Sequence, residues 1–113
     1  MKIIKDNIYS TINNLYEEID NAKEERKVID FDTEFDILMV TTTRIHIYQE
    51  LIIIFKLLKR KNNKTEVLQR TAKLTKKIKM HFSQLKRLGT QNYKDNVIYF
   101  TYVLKVIYQF VFL

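Results

Sequence analysis

Apolar residues recur along the start of the chain at Ile4, Ile8, Ile12, Leu15, Ile19 and Ala22. Steps of four and three place them on one stripe of a helix, with Asn13, Asn14, Glu17, Glu18 and Glu24 largely outside it. The pattern predicts an amphipathic helix over 2–27. From 28 to 36 the period changes, and Ile29, Phe31, Thr33 and Phe35 alternate with Asp30, Asp32, Glu34 and Asp36. Alternation suits a short strand or an extended linker. Thr33 three residues before Asp36, ahead of an apolar run, suits a helix N-cap instead. The expectation is an extended connector ending at a cap near Asp32 or Thr33.

A second helix is predicted over 34–61 with apolar residues on two faces. Leu38, Ile45, Tyr48, Ile52 and Phe55 form one stripe, and Val40, Ile47, Leu51, Ile54 and Leu58 form the other. Its first half is rich in β-branched residues, which lowers helix preference there. Lys59, Arg60 and Lys61 suit the negative end of the helix dipole, and Asn62 suits a left-handed cap. Asn63 with Glu66 opens a third helix over 64–88. Its inner stripe is Val67, Thr71, Leu74, Ile78, His81, Leu85 and Leu88, widened by Phe82. Gly89, the only glycine, falls where a left-handed C-cap residue belongs. Asn92 and Asp95 cap a fourth helix over 93–112, in which only Thr101, Lys105 and Gln109 interrupt the apolar run after Val97. Caps and periodicity together predict an all-α, antiparallel four-helix bundle forming one domain over 1–113.

One helix position in a bundle buries about a third to a half of the circumference, so a single broad stripe suffices. In the fourth helix Val97, Phe100, Leu104, Ile107 and Val111 fill that stripe, leaving Tyr99, Tyr102, Val103, Val106 and Phe110 over. The second stripe of the second helix is the same kind of surplus. Left in water, both faces exceed the apolar patch a soluble monomer usually carries. A two-fold homodimer through helices 2 and 4 follows, with Leu51, Ile54, Leu58, Tyr99, Tyr102, Val106 and Phe110 as its interface. The last helix also approaches the lower length limit of a membrane span, but Lys105 at its middle makes a core helix the preferred reading.

Composition narrows the classes. The chain has 113 residues, one Gly and no Pro, which argues against turn-rich β folds. No Cys excludes disulfides and thiolate metal sites, and Lys2 and Lys5 precede no apolar signal segment, so a cytoplasmic setting is expected. Heavy use of Ile, Lys, Asn and Tyr hints at an AT-rich bacterial, plasmid or viral gene. The net charge of +7 is unevenly placed: residues 1–36 carry five basic and ten acidic side chains, residues 56–87 twelve basic ones and Glu66 alone against them. An acidic first helix and a basic third one suit mutual attraction within the bundle.

Asp30, Asp32 and Glu34 copy the opening spacing of a calcium loop. Phe35 stands where the sharp turn needs Gly, and Thr41 where a bidentate Glu belongs. His46 and His81 have no partner at metal-ligand spacing, Ser10 and Ser83 have no base or glycine elbow, and one Gly cannot build a phosphate loop. The expectation is therefore no catalysis, no metal and no cofactor. The most specific surface feature is basic. Arg70, Lys73 and Lys77 fall on one face of the third helix with Lys76 beside them, led in by Lys59, Arg60, Lys61 and Lys64. Such a strip neutralises phosphates or faces an acidic protein.

The reading is a small, basic, non-enzymatic interaction protein that pairs with itself and with a protein partner. The alternatives are a nucleic-acid-binding accessory protein of a plasmid or virus using Arg70, Lys73, Lys76 and Lys77, and a peripheral membrane protein using the aromatic last helix. In size, helix count and basic charge the chain resembles the cytosolic immunity proteins that protect bacteria from class II bacteriocins. No motif accompanies that resemblance, so it implies a bundle and no residue roles.

Overall fold

The computed structural model describes residues 2–60, 63–89 and 93–112, with side chains from Ile8 onward. Four helices follow in order, α1 (Lys2–Lys27), α2 (Phe35–Leu58), α3 (Lys64–Leu88) and α4 (Tyr93–Val111), with no strand among the described residues. Neighbours run antiparallel. Arg44 of α2 meets Glu25 of α1, whereas Lys56, three turns on, meets Tyr16. Lys64 at the start of α3 meets Phe112 just beyond the end of α4. The molecule measures 47 × 23 × 21 Å.

The expected stripes of α1 and α3 are buried: Ile8, Ile12, Leu15, Ile19 and Ala22 from one, Val67, Thr71, Leu74, Ile78, His81 and Leu85 from the other. Leu88 and Phe82 are half-buried, and the side chain of Ile4 lies outside the described residues. For α2 the expectation of a free second stripe is corrected. Val40, Ile47, Leu51, Ile54 and Leu58 are as buried as Ile45, Tyr48, Ile52 and Phe55. The cause is position: α2 contacts α1, α3 and α4, so half its circumference faces other helices. Among the described residues the backbones of α1 and α3 do not neighbour each other, so the acidic and basic helices expected to attract each other are not adjacent in the bundle. α2 is also long and apolar enough to cross a membrane, with a mean hydropathy of 1.3 over its best window, 44% of which is buried in the bundle. In α4 the inner line is Asn96, Phe100, Val103 and Ile107, a small rotation from the expected stripe. Val103 is therefore core, and Val97, Leu104 and Val111 are half-buried flanks.

The β-branched start of α2 is helical. Thr41 and Thr43 donate their hydroxyls to the carbonyls of Ile37 and Met39, four residues back, at 2.9 and 3.0 Å. The connector after α1 is a compact turn rather than extended chain. The Glu34 amide donates to the Asp30 carbonyl at 2.7 Å, and the Asp30 and Asp32 amides donate to the carboxylates of Glu34 and Asp30. The alternation of 28–36 has no neighbouring strand to pair with, so its acids satisfy the turn itself. Neither expected N-cap makes a capping hydrogen bond with its side chain: Glu34 occupies the cap of α2, and the Asn63 side-chain amide donates back to the Leu57 carbonyl at 3.3 Å instead. α2 ends in an ordinary right-handed Lys59, short of 61. Gly89 takes the left-handed cap as expected, with φ 65°. The caps read at Asn62 and Asn92 lie outside the described residues.

Candidate functional site

A groove of about 640 Å³ lies between α2 and α3, and it tests the basic strip directly. Arg70, Lys73 and Lys77 line it; Lys76 is exposed but outside it. Arg70 is already engaged, donating to Glu50 at 3.0 Å and to Glu66 at 3.2 Å. The cations that the groove offers a ligand are therefore Lys73 and Lys77, beside His46 and Gln69.

A second polar site was not legible from spacing, because three helices build it. At the thin seam where α1 meets α4, a cavity of about 390 Å³ is lined by Glu18 and Glu25, Arg44 and Tyr48, and Asp95, Asn96 and Tyr99. Arg44 donates to Glu25 at 2.6 Å, and its buried Nε makes no hydrogen bond. Burial, reinforced by Glu18, pushes the Tyr99 hydroxyl up to about 12 and holds Tyr48 protonated still further. His81 lies fully buried nearby, its ring 6.0 Å from Phe100 and 6.5 Å from Phe82. Burial lowers its pKa to about 4, against the opposing influence of the Asn96 side chain and with a smaller push from Arg44. Neither ring nitrogen makes a full-geometry hydrogen bond, so the imidazole is held neutral as part of the core.

Exposed aromatic side chains also stand beside small pockets at the two ends of the bundle. At the α1–α2 turn a pocket of about 320 Å³ has Phe35, Ile37 and Leu88 as its apolar lining and Asp32, Glu34 and Asp36 around them. Phe31 packs edge-on against Phe35 at 5.5 Å, yet is 62% exposed. No basic residue lines this pocket. At the α2–α3 turn a pocket of about 250 Å³ has the opposite rim, Arg60 and Lys64, over Leu57, Leu58, Val67, Phe110 and Val111.

The interface expected from sequence divides. Leu51, Ile54 and Leu58 are core, which removes the α2 half. Tyr99, Val106 and Phe110 are half-buried against that core, and Tyr102 alone of the seven is exposed. The large apolar side chains that α4 leaves outside are Ile98, Tyr102 and Tyr108, joined by Phe112 just beyond its end. Among the described residues no group of three or more His, Asp or Glu is placed to hold a metal. Compared with protein-family models, curated proteins and solved structures, the chain matches none.

Proposed function

We propose that the chain is a non-enzymatic binding protein whose acidic, aromatic end docks a basic, apolar segment of a protein partner. The observation carrying this reading is the pocket at the α1–α2 turn, where Phe31, Phe35 and Ile37 stand exposed among Asp32, Glu34 and Asp36. None of these three side chains belongs to the buried core cluster. Exposed aromatics gain from burial in a partner, while the carboxylates select a basic one and speed encounter. A helix with apolar residues on one face and Lys or Arg flanking them has the matching chemistry. The basic surface of a second copy offers part of that chemistry, so self-association belongs to the same reading, by a different surface from the α2 and α4 faces expected from sequence.

The test uses two labelled amphipathic peptides of equal length, one of Leu and Lys, one of Leu and Glu. Fluorescence anisotropy is expected to register the Lys peptide only. Phe31→Ser with Phe35→Ser is expected to weaken it by roughly tenfold or more, on the scale of a lost aromatic anchor. Equal binding of both peptides, or unchanged affinity in the double variant, sinks the proposal. Light scattering on a size-exclusion column reports whether a second copy occupies the site.

A further inference from the structure

We infer that the opposite end of the bundle, around the α2–α3 turn, docks on an anionic membrane surface. Three kinds of observation meet there. The first is charge: Lys56, Lys59, Arg60 and Lys64 stand exposed, and no acidic residue lines the pocket that Arg60 and Lys64 share. The second is an aromatic layer at the same level. Lys59 lies over the Tyr9 ring at 4.3 Å, Lys64 over the Phe112 ring at 5.1 Å, and Phe112 stacks on Tyr108. Tyr9 and Phe112 are each 64% exposed. The third is the pocket itself, whose Arg60 and Lys64 stand above an apolar floor that includes Leu57 and Phe110.

This is the pattern an anionic lipid needs. Its phosphate takes the ammonium and guanidinium groups, its upper acyl segment takes the apolar floor, and Tyr and Phe settle at headgroup depth. A nucleic acid uses the same cations and stacks bases on exposed rings. Tyr9 and Phe112, however, already have a cation over one face, and the floor of the pocket beside Arg60 and Lys64 is apolar and suits an acyl chain rather than a base. The cations sit over the rings because a ring face attracts them, and both are thereby held at one end of the molecule.

The test is co-sedimentation of the full chain with phosphatidylcholine vesicles, alone or with about a third of the lipid replaced by phosphatidylserine, a composition that gives a strong negative surface potential. Binding is expected only with phosphatidylserine, and is expected to fall as salt rises. Arg60→Glu with Lys64→Glu is expected to reduce it at least tenfold, whereas Lys79→Glu with Lys86→Glu, the same charge change elsewhere on α3, leaves most of it. Since the chain has no Trp, Phe112→Trp supplies an independent reporter that alters no charge. Its emission is expected to shift to the blue on anionic vesicles, while that of Phe31→Trp at the other end stays put. Equal loss in the two charge variants, or equal shifts at both reporters, overturns the assignment of this end. Binding to DNA or RNA without sedimentation on vesicles assigns the cations to nucleic acid and overturns the proposal too.

Discussion

The two ends of this bundle share a construction and differ in sign. Each has a small pocket beside an inter-helix turn, with exposed Phe residues at its edge and an apolar floor. At the α1–α2 end the rim is Asp32, Glu34 and Asp36; at the α2–α3 end it is Arg60 and Lys64. The 24 residues of α2 hold the two apart by about 35 Å at the ordinary helical rise. Apolar exposure alone does not separate the two occupants proposed for these ends; the charge around each pocket does. The overall charge of +7 hides this, because it averages an acidic pocket rim into a basic chain.

The largest effect is expected from cutting the element that joins the ends. Ile54 is fully buried in α2. Ile54→Asp places a carboxylate in that core with no partner, at a cost of at least about 4 kcal/mol. That is comparable to the whole stability of a small domain. Circular dichroism is expected to show loss of helix, and both ends are expected to lose their binding together. A helical, folded Ile54→Asp protein would return this residue to the dimer interface expected from sequence and dissolve the central role of α2.

The next effect is tied to pH and lies in the core between the ends. His81 titrates near 6.5 in an unfolded chain and near 4 in the folded one. A lowered folded pKa means that the unfolded state takes the proton first, so stability is whole above pH 6.5 and is lost as pH falls from 6.5 to 4. The full loss is about 3 kcal/mol. Urea midpoints measured at pH 7, 5.5 and 4 are expected to fall for the parent chain more steeply than for His81→Leu. Parallel curves for the two proteins would mean that water reaches the imidazole.

A smaller effect compares the turns themselves. At the α1–α2 end α3 stops in left-handed Gly89, where an added Cβ meets nothing within 4 Å. Gly89→Ala therefore costs only the backbone strain of φ 65°, about 1 kcal/mol. At the basic end α2 stops in right-handed Lys59, φ −75°. Lys59→Ala is expected to leave the thermal midpoint nearly unchanged. Equal shifts at the two sites would show that the cap conformation is not what distinguishes the turns.

What the sequence disclosed follows from which interactions are local. The stripes of α1 and α3, the boundaries of α3 and the cap at Gly89 depend on neighbours three or four residues away, and those are legible. The central place of α2 is not. Two apolar faces fit a helix in a dimer and a helix touching three others equally well, so the pattern alone does not place Leu51, Ile54 and Leu58 in the core, where they belong. The register of α4 failed by a fraction of a turn for a related reason: a helix apolar nearly all round gives no polar face to orient it, and buried Asn96 sits on its inner line. The basic strip was legible as charge, but its pairing was not, since Glu50 lies 20 residues from Arg70 in sequence. The aromatic partners of Lys59 and Lys64 are more distant still, at Tyr9 and Phe112, so the chemistry of that end emerges only when the chain ends are brought together.

The smallest effect bears most directly on what the ends are for. Phe31 is 62% exposed and Phe112 64%, so replacing either with Ser opens no core cavity and removes little burial. What each loses is local. Phe31 gives up its edge contact with Phe35, and Phe112 its stack on Tyr108 and the Lys64 ammonium above it. Contacts of these kinds are worth about 0.5–1.5 kcal/mol when buried and about 0.5–1 kcal/mol at exposed sites, part of which water restores. Both variants are therefore expected to unfold within about 1 kcal/mol of the parent in urea. Against that small change, Phe31→Ser is expected to weaken the basic peptide and leave vesicle binding alone, and Phe112→Ser to do the reverse. If either substitution instead costs as much stability as a core residue, its ring is structural, and that end loses its claim to be a docking site while the other keeps its own.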